Sequence, residues 1–254
     1  MHTLFDIEGK KVIVTGGTRG LGKGVAEGFL EAGCDVVIVG TSDKVYRVAE
    51  DLSVTYGGHC FGVKGNLGDR EDVYRIFKES VEKLEGDLDV LVTAHGIQRR
   101  HPSEEFPVSE WDEVLSVNLT SLFILCQEAG KIMLKKNYGK IINFASMNSF
   151  FGGQTIPAYA AAKGGVAQMT KALSNDWAAK GINVNAIAPG YMKTEMTEGV
   201  YNDPKRYEST TDRIACHRWG TPEDMKGAAI FLASHASDYL CGCVLPVDGG
   251  YLAK

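Results

Sequence analysis

Seven short apolar runs recur along this chain with a helix-like segment between almost every pair. They are "KKVIVTGG", "DVVIVG", "CFGVKGN", "LDVLVTAHG", "GKIINFAS", "INVNAIAPG" and "VLPVDGG". Several are apolar at consecutive positions rather than at every second one. A strand with one wet face alternates, so strands of this kind must be covered on both faces. The segments between them carry apolar residues at helical spacing, among them "LGKGVAEGFLEAGC", "DKVYRVAEDLSVTYGG" and "REDVYRIFKESVEKLEG". Longer helices are expected from about Trp111 to Lys136 and from about Ala158 to Lys180. "TPEDMKGAAIFLAS" adds a capping pattern ahead of an apolar stripe. Strictly alternating order predicts an α/β fold: a doubly wound parallel sheet of about seven strands with helices on both faces.

No repeat, low-complexity tract or polar linker interrupts the 254 residues, so one domain is expected over 1–254. The rhythm breaks once, at about 194–219, where "TEMTEGVYNDPKRYESTTDRIACHRWG" is polar and holds no strand-like run. A long excursion there is read as a substrate lid, with a plain surface helical hairpin as the alternative. The net charge of −5 points to neither nucleic acid nor an anionic membrane, and no apolar run reaches the length of a membrane span. "MHTLFDIEGKK" lacks the basic start and apolar stretch of a signal peptide, so a cytoplasmic location is expected. Cysteines 34, 60, 126, 216, 241 and 243 are read as reduced, buried thiols. Even the close pair Cys241 and Cys243 has no further ligands nearby, and no metal is expected.

Two stretches carry chemistry. "VTGGTRGLG" sets Gly16, Gly20 and Gly22 between the first strand and the first helix. Glycines there permit a tight turn and let main-chain N–H groups approach a pyrophosphate at the positive helix end. The spacing is Gly-x-x-x-Gly-x-Gly rather than the commoner dinucleotide pattern. "NFASMNSFFGGQTIPAYAAAK" then sets Tyr159 and Lys163 four apart, one turn along one helix face, with Ser146 upstream. A free phenol, with a pKa of about 10, seldom ionises at neutral pH, and a neighbouring ammonium favours the phenolate. Tyr159 is therefore the expected proton donor or acceptor, and Ser146 the hydrogen-bond partner of a substrate oxygen as charge builds on it.

Thr15-Gly16-x-x-x-Gly20-x-Gly22, Asn118, Ser146, Tyr159-x-x-x-Lys163 and Pro189-Gly190 occur in the order seen in the short-chain dehydrogenase/reductase family, which the chain resembles over nearly its whole length. "FASMNSFFGG", "NAIAPGYM" and "VDGGYLAK" resemble most the branch acting on sugar acids, the 2-dehydro-3-deoxy-gluconate and gluconate 5-dehydrogenases. The resemblance implies a single Rossmann-type domain, a nicotinamide cofactor, and hydride exchange between a ketone and a secondary alcohol. It implies catalytic roles for Asn118, Ser146, Tyr159 and Lys163, with Lys163 also binding the nicotinamide ribose and Asn118 holding a water that connects Lys163 to solvent. It further implies cofactor contacts from Gly16, Thr18, Arg19, Gly20, Leu21, Gly22, Thr41, Ser42, Asn66, Leu67, Ala94, Gly96, Pro189, Gly190, Met192 and Thr194. Thr194 would bond the carboxamide, Tyr191 and Met192 would shape the cleft, and a homotetramer is expected.

The chain departs from the family at two places. Thr93-Ala94-His95-Gly96 replaces the usual Asn-Asn-Ala-Gly after the fourth strand, and Asn66-Leu67 replaces an acid-first pair after the third. His95 is read as a local structural substitution, with a role in lining the cofactor cleft as the alternative. Gly40, Thr41 and Ser42 stand where an acid would select NAD(H), and Arg19 can pair with a 2′-phosphate, so NADP(H) is favoured among the NAD(P) cofactors. A sugar acid offers a carboxylate, for which Gln98, Arg99, Arg100, His217 and Arg218 are candidate partners, while Asn148 and Gln154 are placed to meet hydroxyls. The alternatives are a reductase of 3-oxoacyl thioesters or other carbonyls, disfavoured by the polar lid, and a dinucleotide-binding regulator without turnover.

Overall fold

The computed structural model describes residues 3–254. The first strand, β1 (Lys11–Thr15), runs into α1 (Gly20–Glu31), followed by β2 (Asp35–Gly40), α2 (Lys44–Tyr56), β3 (Cys60–Lys64) and α3 (Arg70–Lys83). The second half continues with β4 (Val90–Thr93), α4 (Val108–Leu115), α5 (Ser121–Lys136), β5 (Gly139–Phe144), α6 (Pro157–Trp177) and β6 (Ile182–Pro189). The short helices α7 (Glu198–Tyr201) and α8 (Pro204–Arg213), then α9 (Lys226–Ala233) and β7 (Val244–Val247), complete the order. All seven strands form one sheet in the order β3-β2-β1-β4-β5-β6-β7, and every pairing is parallel. This is the doubly wound, Rossmann-type sheet that the alternation predicts.

The consecutive apolar residues are shared between two cores. Val12, Val14, Val36 and Ile38 pack with Phe29 of α1 and Leu232 of α9 on one side of the sheet. Ile13, Val37, Val39 and Leu91 pack with Ile76 of α3 and Leu125 of α5 on the other. Neighbouring side chains point to opposite faces, so a strand covered twice needs no polar positions.

The chain winds outward from β1 through β2 to β3, then returns to pair β4 with the other side of β1. That reversal leaves a crevice at the carboxyl ends of β1 and β4, the usual ligand site of such sheets. Register aligns the strand ends there, with Thr15 opposite Thr93 and Thr93 opposite Asn143. Thr93, in place of the family amide, donates to Asn143 Oδ1 at 2.8 Å, and Asn143 in turn donates to Thr170 of α6 at 3.0 Å.

Two expectations need correction, the helix from Trp111 and the burial of every cysteine. The helix expected from Trp111 starts at Val108 and is not uniform, because Ser116–Thr120 forms a wider π turn between α4 and α5. The polar excursion is a helical hairpin, closed at its base where Met192 bridges to Gly220. Its sequence looked polar throughout, yet Tyr201 and Tyr207 turn inward onto Trp219, which is buried. Of the cysteines, Cys34, Cys60 and Cys126 are buried, and burial pushes each thiol up to about 12. Cys216 and Cys241 are exposed, since both sit in loops near the last strand. No group of metal-ligating side chains occurs among the described residues, and none of their helices is long and apolar enough to cross a membrane.

Phe29 is wholly buried between α1 and the sheet. Phe29→Ala is expected to cost about 3–5 kcal/mol, read as a lower denaturant midpoint at unchanged slope.

Candidate active site

The glycine turn fits a dinucleotide by its own geometry. Gly16 has φ +70°, and a Cβ there would stand 2.9 Å from His95 Cα. A Cβ on Gly22 would stand 2.4 Å from the Gly16 carbonyl oxygen. Two main-chain segments therefore touch where only glycine allows it. Helix α1 begins at Gly20 after an extended Arg19, with no side chain capping it and no acid in its first turn. Its first N–H groups remain available to an anion at the positive helix end. Leu21 packs into the core, so it can offer the cleft only its main chain.

Around this turn the expected cofactor residues divide. A Cβ on Gly40 would stand 2.5 Å from Thr18 Cγ2, which accounts for the lack of an acid at the end of β2. Thr41 and Ser42 are exposed beside that end, and Asp43 pairs with Lys64 at 3.0 Å. Asn66 is committed to a turn, its Oδ1 accepting from Gly68 N at 2.9 Å, while Leu67 is buried. Arg19 forms an ion pair with Glu195 at the start of the excursion. Thr194 lies beside Gly20, which brings the second half of the chain to the turn. Gly190 continues β6, its N–H donating to Val247 O at 3.0 Å. The Met192 side chain is buried against Gly220, to which its main chain bridges.

Ser146, Tyr159 and Lys163 come together at the end of β5. Ser146 follows that strand and accepts from Asn148 N at 3.1 Å, and its hydroxyl favours the ionised form of Tyr159. Pro157 opens α6 with a preset φ, which places Tyr159 in the first turn and Lys163 one turn on. Lys163 Nζ donates to Phe144 O at 2.6 Å and lies 5.8 Å from the centre of the Tyr159 ring. Burial lowers the Lys163 pKa to about 8. Burial also raises that of Tyr159, opposed by the Ser146 hydroxyl. On balance the phenol is raised rather than lowered as expected. The lysine head is turned to a main-chain carbonyl, and desolvation of the phenol dominates.

Asn118 is fully buried in the π turn, and its amide grips the main chain of one residue, accepting from Ile97 N and donating to Ile97 O, both at 2.8 Å. A Cβ on Gly96 would stand 3.3 Å from Asn118 Oδ1, and the half-buried Ala94 packs against the core. His95 is buried between these elements.

The expected substrate residues fare unequally. Arg99 is bound to Glu113 at 2.8 Å, and Arg218 is held two-pronged by Asp224 at 2.6 and 2.8 Å. Each is neutralised by a carboxylate of the chain, so neither is a ready partner for a second one. Arg100 instead reaches Thr155 Oγ1 at 3.4 Å, and its charge acts on the Tyr191 hydroxyl. Gln98 and Asn148 are half-buried, whereas Gln154 and His217 are exposed.

Two groups were not anticipated. Tyr191, Trp219, Tyr251 and Phe151 form an aromatic floor, with Tyr191 5.1 Å from Trp219 and Arg213 of α8 stacked 4.3 Å over Tyr251. Ser149 donates to Lys163 O at 2.6 Å and accepts from Ser146 N at 3.4 Å, tying the serine turn to α6. The aromatics are scattered through the sequence, so only folding brings them together.

A family model described as enoyl-(acyl carrier protein) reductase matches residues 16–252. The 2-dehydro-3-deoxy-D-gluconate 5-dehydrogenase of Bacillus subtilis is 45% identical over 100% of this chain and 99% of its own. A gluconate 5-dehydrogenase from Burkholderia cenocepacia, solved with NADP and tartrate, superposes with a TM-score of 0.94 at 36% identity, covering 100% of both chains. A candidate NAD(P)-dependent gluconate 5-dehydrogenase from Beutenbergia cavernae, with NADP at low occupancy, gives 0.95 at 41%, covering 99% of this chain and 100% of its own. The chain belongs to the short-chain dehydrogenase/reductase family. It is an NAD(P)-dependent oxidoreductase acting on a CH–OH group.

Because a methyl on Gly22 would strike the Gly16 carbonyl, Gly22→Ala is expected to weaken NADPH binding by on the order of tenfold or more. Fluorescence titration of the nucleotide checks this.

Proposed function

We propose that the chain interconverts a ketone and a secondary alcohol on a sugar acid, of the 2-dehydro-3-deoxy-gluconate or gluconate type. The observation that carries this reading is the meeting of Ser146 and Tyr159 beside a buried Lys163, with Arg100 donating to Thr155 and paired with no carboxylate among the described residues. The full-length likeness to the Bacillus subtilis enzyme supports the substrate class. In the direction of reduction, the Ser146 and Tyr159 hydroxyls donate to the substrate carbonyl oxygen, and Tyr159 gives up its proton as charge develops there. A nicotinamide dinucleotide bound at the glycine turn supplies the hydride. In this reading Lys163 turns its ammonium from Phe144 O towards the ribose hydroxyls and the phenol. Asn118 holds the π turn against Ile97 and so places its main chain for the water that returns a proton to Lys163. Arg100 is the partner we assign to the substrate carboxylate in place of Arg99 and Arg218, and the aromatic floor closes the apolar side of the cleft.

NADP(H) is the preferred cofactor in this reading. A side chain at position 40 collides with Thr18, so no acid opposes a 2′-phosphate, and Arg19 can exchange Glu195 for that phosphate. The excursion at 194–219 serves as the substrate lid of a single domain. We place the enzyme in the cytoplasm as a homotetramer, which light scattering would contradict by finding a monomer.

Loss of NADH and NADPH absorbance, followed separately with keto sugar acids and an acetoacetyl thioester, tests the substrate and the cofactor together. Turnover of the thioester alone would overturn the sugar-acid reading. Tyr159→Phe is expected to bind NADPH nearly as well as the native chain but to lose turnover by at least about a thousandfold. Substantial residual activity would remove Tyr159 from its role.

Lys163 carries a pH prediction of definite sign. Its pKa in the free protein is lowered to about 8, so the ammonium is present below that pH and lost above it. NADPH affinity is therefore expected to fall as pH rises through about 8, and Lys163→Ala to bind weakly with no such step. Isothermal titration across pH 6.5–9.5 would show it, pH being the experimental variable.

A further inference from the structure

His95 occupies a position where the family pattern has alanine, and its ring is held at both nitrogens. Nδ1 lies 2.6 Å from Thr15 Oγ1, at the end of β1 and directly before the glycine turn. Nε2 lies 2.7 Å from Ser121 Oγ and 3.1 Å from Val117 O, in and just beyond the π turn that contains Asn118. A neutral imidazole has one N–H and one bare nitrogen. Val117 O can only accept, so Nε2 carries the hydrogen. Nδ1 then accepts from the Thr15 hydroxyl, whose other acceptor, Val92 O, is farther away at 3.3 Å. Burial and the nearby Lys163 charge hold the ring neutral, lowering its pKa to about 3.

The bridge is directional: Thr15 donates to the ring, and the ring donates to the π turn. Two residues along the same loop, the Ile97 main chain grips the Asn118 amide. The loop from 95 to 97 therefore holds the π turn at Val117, Asn118 and Ser121 together. Its other side lies against Gly16, where no Cβ would fit. An alanine at position 95 would keep the Ile97 grip and lose the link to Val117, Ser121 and Thr15.

We propose that His95 is a positioning residue, whose neutral ring ties the dinucleotide turn to the π turn and so holds Asn118 in register with Lys163. It touches no reacting atom; it acts through Asn118. The inference rests on the reading of Asn118, Ser146, Tyr159 and Lys163 as the reacting group given under Proposed function.

The test is a double-mutant cycle in the full-length enzyme with NADPH and the substrate found by the panel above. His95→Ala is expected to lower kcat on the order of tenfold with the NADPH Kd changed less than about twofold, because the π turn shifts while the glycine turn remains. His95→Gln, whose amide can donate to Val117 O, is expected to recover most of the loss. In an Asn118→Ala background, His95→Ala should lower kcat no further than about twofold, since both act on one element. Losses that multiply in the double variant, or an unchanged kcat in His95→Ala, would overturn the proposal. If His95→Ala fails to fold, Thr15→Val, which removes only the donor to Nδ1, is expected to lower kcat in the same direction. Imidazole ¹⁵N shifts of the native enzyme should show the Nε2–H tautomer, and the Nδ1–H form would also overturn the proposal. An inactive Tyr159→Phe beside a fully active His95→Ala would leave the proposed function standing and remove this inference alone.

Discussion

The parallel pairing of β1 with β4 is the constraint on which the site depends. It sets Thr15 opposite Thr93, and the chain leaving each strand must turn within one crowded crevice. Gly16 meets the His95 main chain there, and Gly22 meets Gly16. Since no side chain fits at either contact, helix α1 starts close above the sheet with its N–H groups uncovered. The uncapped start of α1 and the strand ends beside it are thus products of the same close packing.

Burial gives the reacting groups their chemistry and limits it. Lys163 and the Tyr159 hydroxyl are both taken from water, which raises the phenol and lowers the ammonium. Lys163 donates to Phe144 O, and burial raises the phenol on balance rather than letting the ammonium lower it. Charge elsewhere in the cleft follows similar logic. Arg99 and Arg218 look like anion binders in the sequence, but Glu113 and Asp224 already satisfy them. Arg19 of the glycine turn is held by Glu195 at the start of the 194–219 excursion.

How far the sequence could be read varied with the range of the interaction. The strands, α1, α6 and the glycine turn were legible, because apolar periodicity and glycine spacing are local signals. The order Asn118, Ser146, Tyr159, Lys163 was legible through its joint occurrence. The π turn was not, since one extra residue in a helical turn barely disturbs an apolar stripe. Nor was the amphipathic character of the excursion, because Tyr201 and Tyr207 bury themselves only against Trp219, which lies beyond the end of α8.

By itself, the sequence determined the class of this protein: an α/β sheet covered on both faces, a dinucleotide turn and a Ser-Tyr-Lys group, each written in spacing over a few residues. Tertiary structure alone decided that Arg99 and Arg218 are claimed by carboxylates, where the lysine ammonium points, and what His95 touches. Those outcomes depend on partners from 6 to 80 positions apart, from Arg218 with Asp224 to His95 with Thr15. Hydrogen bonds and ion pairs form between whichever groups folding brings within about 3 Å, and no local pattern records that distance.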